Sequence, residues 1–186
     1  MAEVIARVER ECGFPDGTIK MGAAIETAKG LRQAYAIASA SPRMEFLAIG
    51  GEDFIADLKT TRSKDGRELF VARSQLVLAA REAGIQAIDT VFADANDDET
   101  FLNEVRFIKQ LGFDGKSVIN PRQVRQVQEV FAPTEKEISH ARRVLAAYQD
   151  ALDRKSGVIA LDGKMIDTPI VTRAERVLAY AAAVRN

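Results

Sequence analysis

The chain has very few of the side chains that build disulfides and histidine-centred sites. Its 186 residues include one cysteine and one histidine, Cys12 and His140. A single cysteine cannot form an internal disulfide, and it fits a protein kept in a reducing compartment. Histidine metal sites and catalytic triads need partners that His140, on a charged helical segment, does not have. These absences exclude a disulfide scaffold and a histidine-centred site, and they predict a cytoplasmic protein.

Long apolar runs and an excess of one charge are also missing. No stretch approaches membrane-spanning length, and no basic start is followed by the apolar segment of a signal peptide. Lysine and arginine number 26 and aspartate and glutamate 27, which gives a net charge of -1. This balance gives no reason to expect nucleic acid or an anionic membrane as a partner.

The chain does contain short apolar strands that alternate with helices. Strands are predicted near residues 19–25, 45–49, 86–89 and 117–119, and helices near residues 2–12, 29–39, 67–83, 97–111 and 121–130. Helix after strand, repeated four times, predicts a parallel sheet with right-handed crossovers. A polar loop at residues 59–66 is long enough to be a binding loop or lid.

A different pattern follows residue 131. Thr134 and Glu137 form a capping-box signature for a helix that reaches about Lys155. Asp162-Gly163 between two short apolar runs, residues 158–161 and 164–166, predicts a tight hairpin before a last helix at 169–184. We therefore predict two parts, residues 1–131 and residues 132–186.

Two carboxylates stand where the first two predicted strands end, Glu26 and Asp53. The C-terminal ends of parallel strands lie on one face, and that face carries the chemistry of α/β proteins. Mg²⁺ usually takes one or two protein carboxylates and completes its octahedron with water and substrate oxygens. The pair is thus a candidate Mg²⁺ site, while a capping or surface role is the alternative for each acid.

Eight motifs run in an order that resembles the citrate lyase beta subunit family, within the malyl-CoA-lyase-like (HpcH/HpaI aldolase) barrel enzymes. They are Glu26-Thr-Ala, Ala40-Ser-Pro-Arg43, Gly50-Gly-Glu-Asp53, Ala72-Arg-Ser74, Ala87-Ile-Asp-Thr90, Gly112-Phe-Asp-Gly-Lys116, Ile119-Asn-Pro-Arg-Gln123 and Asp162-Gly-Lys-Met-Ile-Asp167. The resemblance covers essentially the whole chain. It implies a partial (β/α)₈ TIM barrel, with strands five to eight in residues 1–131. A C-terminal helix-hairpin-helix extension at residues 132–186 would pack on a neighbouring subunit.

The resemblance implies a Mg²⁺-dependent carbon–carbon lyase. Its substrate would be a citryl thioester on an acyl carrier protein or on CoA, cleaved to oxaloacetate and an acetyl thioester. Glu26 and Asp53 would hold Mg²⁺, and backbone N–H groups around Gly50, Gly51 and Glu52 would receive the oxaloacetate carboxylates.

The resemblance also assigns residues further along the chain. Asp167 would reach a neighbouring subunit's site and serve in proton transfer beside the nascent enolate, although it also suits the N-cap of the last helix. Lys116, Asn120 and Arg122 would meet the thioester carrier arm, with a surface or loop-stabilising role as the alternative. Two further residues, Arg73 and Asp89, are expected in structural ion pairs.

The match begins just before the family's fifth strand, so the arginine that grips the substrate carboxylate is missing. Arg43 and Arg62 are possible substitutes. The chain is expected to be a fragment, to pair with a second copy, or to receive the other half-barrel from another chain, because open sheet edges are normally avoided. Expected partners are therefore a second copy, other citrate lyase subunits, or both. The alternative functions are a malyl-CoA or citramalyl-CoA lyase and a non-catalytic half-barrel assembly module.

Overall fold

The structure is a computed structural model that describes residues 1–154 and 160–184. The chain divides into two compact units, residues 1–131 and residues 132–186. Each unit has its own set of packed elements and its own buried apolar cluster.

The first unit is built on a four-stranded sheet. Its strands are β1 (Met21–Ile25), β2 (Met44–Ile49), β3 (Gln86–Asp89) and β4 (Gly115–Lys116), and they lie side by side in chain order. All three neighbouring pairs are parallel. The predicted α/β architecture with a parallel sheet is confirmed.

Helices connect and precede these strands. They are α1 (Ala2–Cys12), α2 (Ala28–Arg32), α3 (Ala34–Ala38), α4 (Gly51–Asp57), α5 (Phe70–Ala83), α6 (Asp98–Leu111) and α7 (Pro121–Phe131). A 3₁₀ turn, Arg67–Leu69, leads into α5. Helices α5 and α6 end at Gly84 and Gly112, whose φ angles of 72° and 99° give the left-handed cap that glycine adopts without strain.

One face of the sheet packs against helices, because alternate strand residues are apolar and buried. Ile25, Leu47 and Ala87 are at most 1% exposed and pack in the same core as Leu76 of α5. On the other face of β1, Gly22 is exposed at its Cα and lies under the ring of Phe46: a Cβ atom there would be 2.0 Å from Phe46 Cζ. This second face leads toward Glu26 at the end of β1.

Two predicted elements differ from the observed ones. The helix expected at residues 29–39 is two short helices that break at Gln33, so that Ala34 and Ala38, one turn apart, face the core. The fourth strand was expected at residues 117–119, yet β4 is Gly115–Lys116. Its register is set by pairing with β3, Ile88 opposite Gly115 and Asp89 opposite Lys116, which a local apolar pattern does not reveal.

The second unit contains α8 (Glu135–Asp153), a hairpin of β5 (Ala160–Leu161) and β6 (Lys164–Met165), and α9 (Thr168–Val184). The predicted capping box of Thr134 and Glu137 is confirmed. Asp162 and Gly163 have φ angles of 52° and 75°, as a primed two-residue turn requires. The expected helix end at Lys155, and the first two residues of the predicted hairpin strand, 158 and 159, lie outside the described residues.

Within the part of the chain that the structure describes, no helix combines the length and the apolar character needed to cross a bilayer.

Candidate functional site

Glu26 lies against the backbone of Gly50 at the C-terminal ends of β1 and β2. Ile25 pairs with Ile49, and the N–H of Gly50 donates to the carbonyl of Ile25 at 3.0 Å. A Cβ atom on Gly50 would lie 2.4 Å from Cγ and 2.9 Å from Oε1 of Glu26. Glycine at position 50 therefore leaves the space that the Glu26 carboxylate occupies.

Asp53 lies in the first turn of α4, three residues beyond Gly50, the N-cap of that helix. The side chains of Glu26 and Asp53 are both exposed, and neither has a hydrogen-bond or ion-pair partner among the described residues. Two carboxylates without partners, one directly after β1 and one in the first turn of the helix that follows β2, fit a hard cation that keeps open positions for water and substrate oxygens. No cluster of three or more histidine, cysteine, aspartate or glutamate side chains suited to a metal occurs in residues 1–154 and 160–184.

Some of the backbone N–H groups that follow β2 already donate hydrogen bonds within the protein. The N–H of Gly51 donates to Thr90 Oγ1 at 2.9 Å, and a Cβ atom on Gly51 would lie 2.7 Å from that oxygen. The N–H of Gly50 is also bonded within the sheet, so the N–H groups of both glycines have partners in the protein, and substrate binding by these two residues stays a prediction. Of the three predicted backbone donors, the N–H of Glu52 alone has no partner in the described part of the chain.

A buried network of ion pairs lies at the C-terminal end of β3. Arg73 Nε and Nη2 donate to the two carboxylate oxygens of Asp89 at 2.8 and 3.0 Å, so both residues lie in structural ion pairs, as predicted, and their partner is each other. Lys116 Nζ lies 2.7 Å from Asp89 Oδ2, 2.7 Å from the carbonyl of Thr90 and 2.5 Å from Glu104 Oε1. The Lys116 side chain is fully buried, so the structure places it inside the network and not at a surface that a carrier arm reaches.

Glu104 completes the network from α6. Burial alone would raise the pKa of the Glu104 carboxyl, but the charges of Lys116 and Arg73 outweigh it and lower the pKa from 4.5 to about 2. Glu104 was not among the residues predicted from the sequence, although its position on α6 carries a signal. It occupies the buried face of α6 together with Phe101, Val105 and Ile108, where an acid needs a partner.

Arg62, in the loop between α4 and α5, joins the network to the candidate site. Its Nη2 lies 2.9 Å from Glu104 Oε2, and its Nη1 lies 2.9 Å from Glu52 Oε1. Its guanidinium carbon is 5.9 Å from the centre of the Phe92 ring. A cavity of about 280 Å³ opens beside it, lined by Glu52, Arg62, Ser63, Lys64, Phe92, Ala93, Asp94, Asp97 and Thr100.

Arg43, the other arginine suggested as a substitute, lies at the opposite end of the sheet. It precedes β2, and its Nη1 donates to Glu9 Oε1 at 2.8 Å and to the carbonyl of Ile19 at 3.2 Å. Arg62 therefore shares the end of the sheet that carries Asp53, and Arg43 does not.

Asn120 and Arg122 stabilise the start of α7. Asn120 Oδ1 accepts a hydrogen bond from the N–H of Arg122 at 3.0 Å, and the Asn120 carbonyl accepts one from the N–H of Gln123 at 2.9 Å. Arg122 Nη2 donates to the carbonyl of Ala95 at 3.4 Å. These bonds correspond to the loop-stabilising alternative, and binding of a carrier arm by either residue stays a prediction.

Asp167 belongs to the second unit and precedes α9. Its Oδ1 accepts a hydrogen bond from the N–H of Ile170 at 3.2 Å, and its carbonyl accepts one from the N–H of Val171 at 3.1 Å. These bonds confirm the expected helix-capping role. The carboxylate is exposed, and its role in proton transfer stays a prediction.

Known proteins are similar to this chain in sequence and in fold. The profile of the HpcH/HpaI aldolase/citrate lyase family matches residues 1–121. The citrate lyase subunit beta of Leuconostoc mesenteroides subsp. cremoris is 51% identical to this chain. The match covers 98% of this chain and 61% of the length of that subunit. The mitochondrial citramalyl-CoA lyase of Rattus norvegicus is 32% identical over 87% of this chain and 50% of its own.

A solved structure extends the comparison. The protein CitE from Mycobacterium tuberculosis, in complex with magnesium, acetoacetate and coenzyme A, superposes with a TM-score of 0.75 at 34% identity, over 88% of this chain and 61% of that one. The chain thus spans about three fifths of the length of the citrate lyase subunit and of CitE. The predicted resemblance is confirmed: the chain belongs to the HpcH/HpaI aldolase/citrate lyase family.

Proposed function

We propose that the chain provides the metal-binding part of a carbon–carbon lyase that cleaves a citryl thioester to oxaloacetate and an acetyl thioester. The observation that carries this proposal is that two exposed carboxylates have no partner among the described residues: Glu26 directly after β1, and Asp53 in the first turn of the helix that follows β2. The similarity to a citrate lyase subunit beta, and a magnesium-bound relative of the same fold, support it.

Glu26 and Asp53 would hold Mg²⁺, with Gly50 keeping the Glu26 carboxylate against the backbone. When bound, Mg²⁺ supplies Lewis-acid polarisation of the hydroxyl oxygen that becomes a ketone. The N–H of Glu52 would donate to a substrate carboxylate. Arg62 would bring positive charge to the same end of the sheet. Asp167 would move a proton at the enolate carbon in a neighbouring subunit's site.

The four strands, side by side in chain order and all parallel, suit one half of a (β/α)₈ barrel. We propose that β1 to β4 are strands five to eight of such a barrel, completed by further strands of the same protein, by a second copy or by another citrate lyase subunit. The acyl carrier would be an acyl carrier protein or CoA, and the assembly would be cytoplasmic.

The test is thioester cleavage by the purified chain with and without Mg²⁺. We expect Mg²⁺-dependent release of oxaloacetate from citryl thioester, which Glu26→Gln abolishes. Glu45→Gln is the matched control, because Glu45 is an exposed acid near the other end of β2. Cleavage of citryl thioester that Glu26→Gln leaves intact would contradict the assignment of the site.

A second candidate function is cleavage of citramalyl-CoA or malyl-CoA, favoured by the identity with the rat citramalyl-CoA lyase. Release of pyruvate or glyoxylate from these thioesters, without release of oxaloacetate from citryl thioester, would establish it. If no thioester reacts and Mg²⁺ does not bind, the chain is a non-catalytic assembly module. Mg²⁺ binding without turnover is the result expected when the half-barrel that supplies the substrate-gripping arginine is absent from the assay.

A further inference from the structure

Helix α5 carries a stripe of side chains that is exposed within residues 1–131. Its inner face is packed in the core through Ala72, Leu76 and Ala80, all at most 3% exposed. On the outer face, Val71 is 61% and Leu78 is 69% exposed, among the most exposed aliphatic side chains described. Single exposed aliphatic residues are common on protein surfaces, so the arrangement of these two along the helix, together with the charges around them, decides whether the face suits a contact.

The stripe is straight along the helix. At about 100° per residue, Val71, Gln75, Leu78 and Glu82 fall within an arc of about 60°. Arg67 lies one turn before Val71, in the 3₁₀ turn that leads into α5. From Arg67 to Glu82, the exposed side chains along the stripe are therefore, in order, a cation, an aliphatic group, an amide, an aliphatic group and an anion.

This order is complementary to itself when a second α5 lies antiparallel. The pair Val71 and Leu78 and the pair Arg67 and Glu82 share one midpoint, between Ser74 and Gln75. A two-fold axis through that point brings each Val71 against Leu78 of the second copy, and each Arg67 against its Glu82. In an isologous contact, the same patch of both copies meets across the two-fold axis. Residue i of one copy then contacts residue j of the other, and residue j contacts residue i.

The charges at the two ends are available for such a contact. Glu82 is exposed and has no hydrogen-bond or ion-pair partner among the described residues. Arg67 contacts Asp65 with Nε 2.5 Å from Oδ2, but its side chain is 88% exposed, and an exposed pair of this kind contributes little. Charges placed at the rim of an apolar contact mainly set its orientation.

We propose that the outer face of α5, defined by Arg67, Val71, Gln75, Leu78 and Glu82, is a two-fold interface with a second copy of this chain. One helix pair buries less than the roughly 800 Å² per partner of a standard interface. The dimer is therefore weak, with a dissociation constant of roughly 10–100 µM. It does not depend on the lyase activity proposed above.

The test is sedimentation of the full chain across a concentration series. Leu78→Glu is expected to raise the dimer dissociation constant more than about tenfold, because it puts a charge into the apolar centre. Arg67→Glu and Glu82→Arg should each weaken the dimer by placing like charges at both ends. The double variant Arg67→Glu/Glu82→Arg should restore it, since every cross-pair again has opposite signs.

Leu152→Glu serves as the matched control, because Leu152 is an exposed leucine on α8 of the second unit, 53% exposed, and should leave this dimer unchanged. A chain that stays monomeric at 200 µM or about that concentration would overturn the proposal. A dimer that Leu78→Glu leaves intact would also overturn it. So would a double variant Arg67→Glu/Glu82→Arg that dimerises no better than either single variant.

Discussion

At the scale of single residues, two adjacent glycines have different neighbours and different roles. Gly50 makes room for the Glu26 side chain, which is exposed and can rotate. Gly51 approaches Thr90, which is buried behind β3 and holds the N–H of Gly51. The same substitution at the two positions should therefore separate metal binding from stability.

Gly50→Ala is expected to displace the Glu26 carboxylate and weaken Mg²⁺ binding by about tenfold or more, with little change in stability. Gly51→Ala is expected to lower the free energy of unfolding by about 1–3 kcal/mol, because a methyl group would be forced against Thr90. Mg²⁺ titration and urea unfolding of both variants test the pair. A Gly50→Ala variant that binds Mg²⁺ normally would contradict the contact with Glu26.

The buried network makes a prediction about acid stability. The pKa of Glu104 is lowered from 4.5 to about 2, so its ionised form is stabilised in the folded state. The contribution is complete above about pH 4.5 and is lost as the pH falls through that range toward 2. Glu104→Gln should remove this pH dependence, and it should also destabilise the protein at neutral pH by about 3 kcal/mol or more, because Lys116 and Arg73 lose a buried partner.

Urea unfolding between pH 7 and pH 3 measures both effects. Glu99→Gln, an exposed acid on the same helix, is the matched control and should follow the wild-type curve. The lowered pKa of Glu104 would be refuted if the unfolding free energy of Glu104→Gln decreased as steeply with falling pH as that of the wild type.

Sequence patterns predicted some of these residues and not others, for a physical reason. Arg73 and Asp89 were each predicted to lie in a structural ion pair, but the sequence did not show that they pair with each other. Lys116 was predicted to meet a carrier arm, or to have a surface or loop-stabilising role. Its burial was not predicted, because a two-residue strand gives no alternation from which burial can be inferred. The bonds that occupy the N–H groups of Gly50 and Gly51 depend on strand register and on Thr90, which is 39 residues away from Gly51.

At the scale of elements, α1 is fixed to the sheet by a buried acid. Glu9 is fully buried and accepts hydrogen bonds from Arg43 Nη1 at 2.8 Å, from the N–H of Ile19 at 2.7 Å and from the N–H of Gly17 at 3.2 Å. The hydrogen bond from Arg43 lowers the pKa of Glu9 to about 2, against the opposing effect of burial. The helix pattern predicted α1 correctly, but not that an acid would be its most buried residue.

Glu9→Gln is expected to loosen α1 and the turn that follows it, because an amide keeps one acceptor oxygen in place of two charged ones. Amide hydrogen exchange of residues 2–20 should accelerate, while exchange in β3 stays unchanged. Glu11→Gln, an exposed acid on the same helix, should have no such effect. Equal exchange in both variants would show that Glu9 does not anchor the helix.

At the scale of the whole molecule, the two units have separate buried clusters, one around Leu76 and one around Val144. Leu76→Ala is expected to lower the stability of residues 1–131 by about 2–5 kcal/mol. Hydrogen exchange in α8 should be unaffected, and Val144→Ala should show the converse. A single cooperative transition that both variants shift equally would contradict this division.

The overall architecture was predictable because strand–helix alternation repeats four times, and a parallel sheet follows from that repetition. The site depends on how neighbouring strands are aligned. Glu26 could be placed at the end of β1 from the sequence, whereas its contact with Gly50 follows from the pairing of Ile25 with Ile49.

The most direct test of the account is calorimetric titration of the full chain with Mg²⁺, carried out for the wild type, Glu26→Gln, Asp53→Asn and the control Glu45→Gln. One Mg²⁺ per chain is expected in the wild type and in Glu45→Gln, and binding weakened by about tenfold or more is expected in each of the other two variants. Equal affinity in all four proteins, or no binding by the wild type, would contradict it.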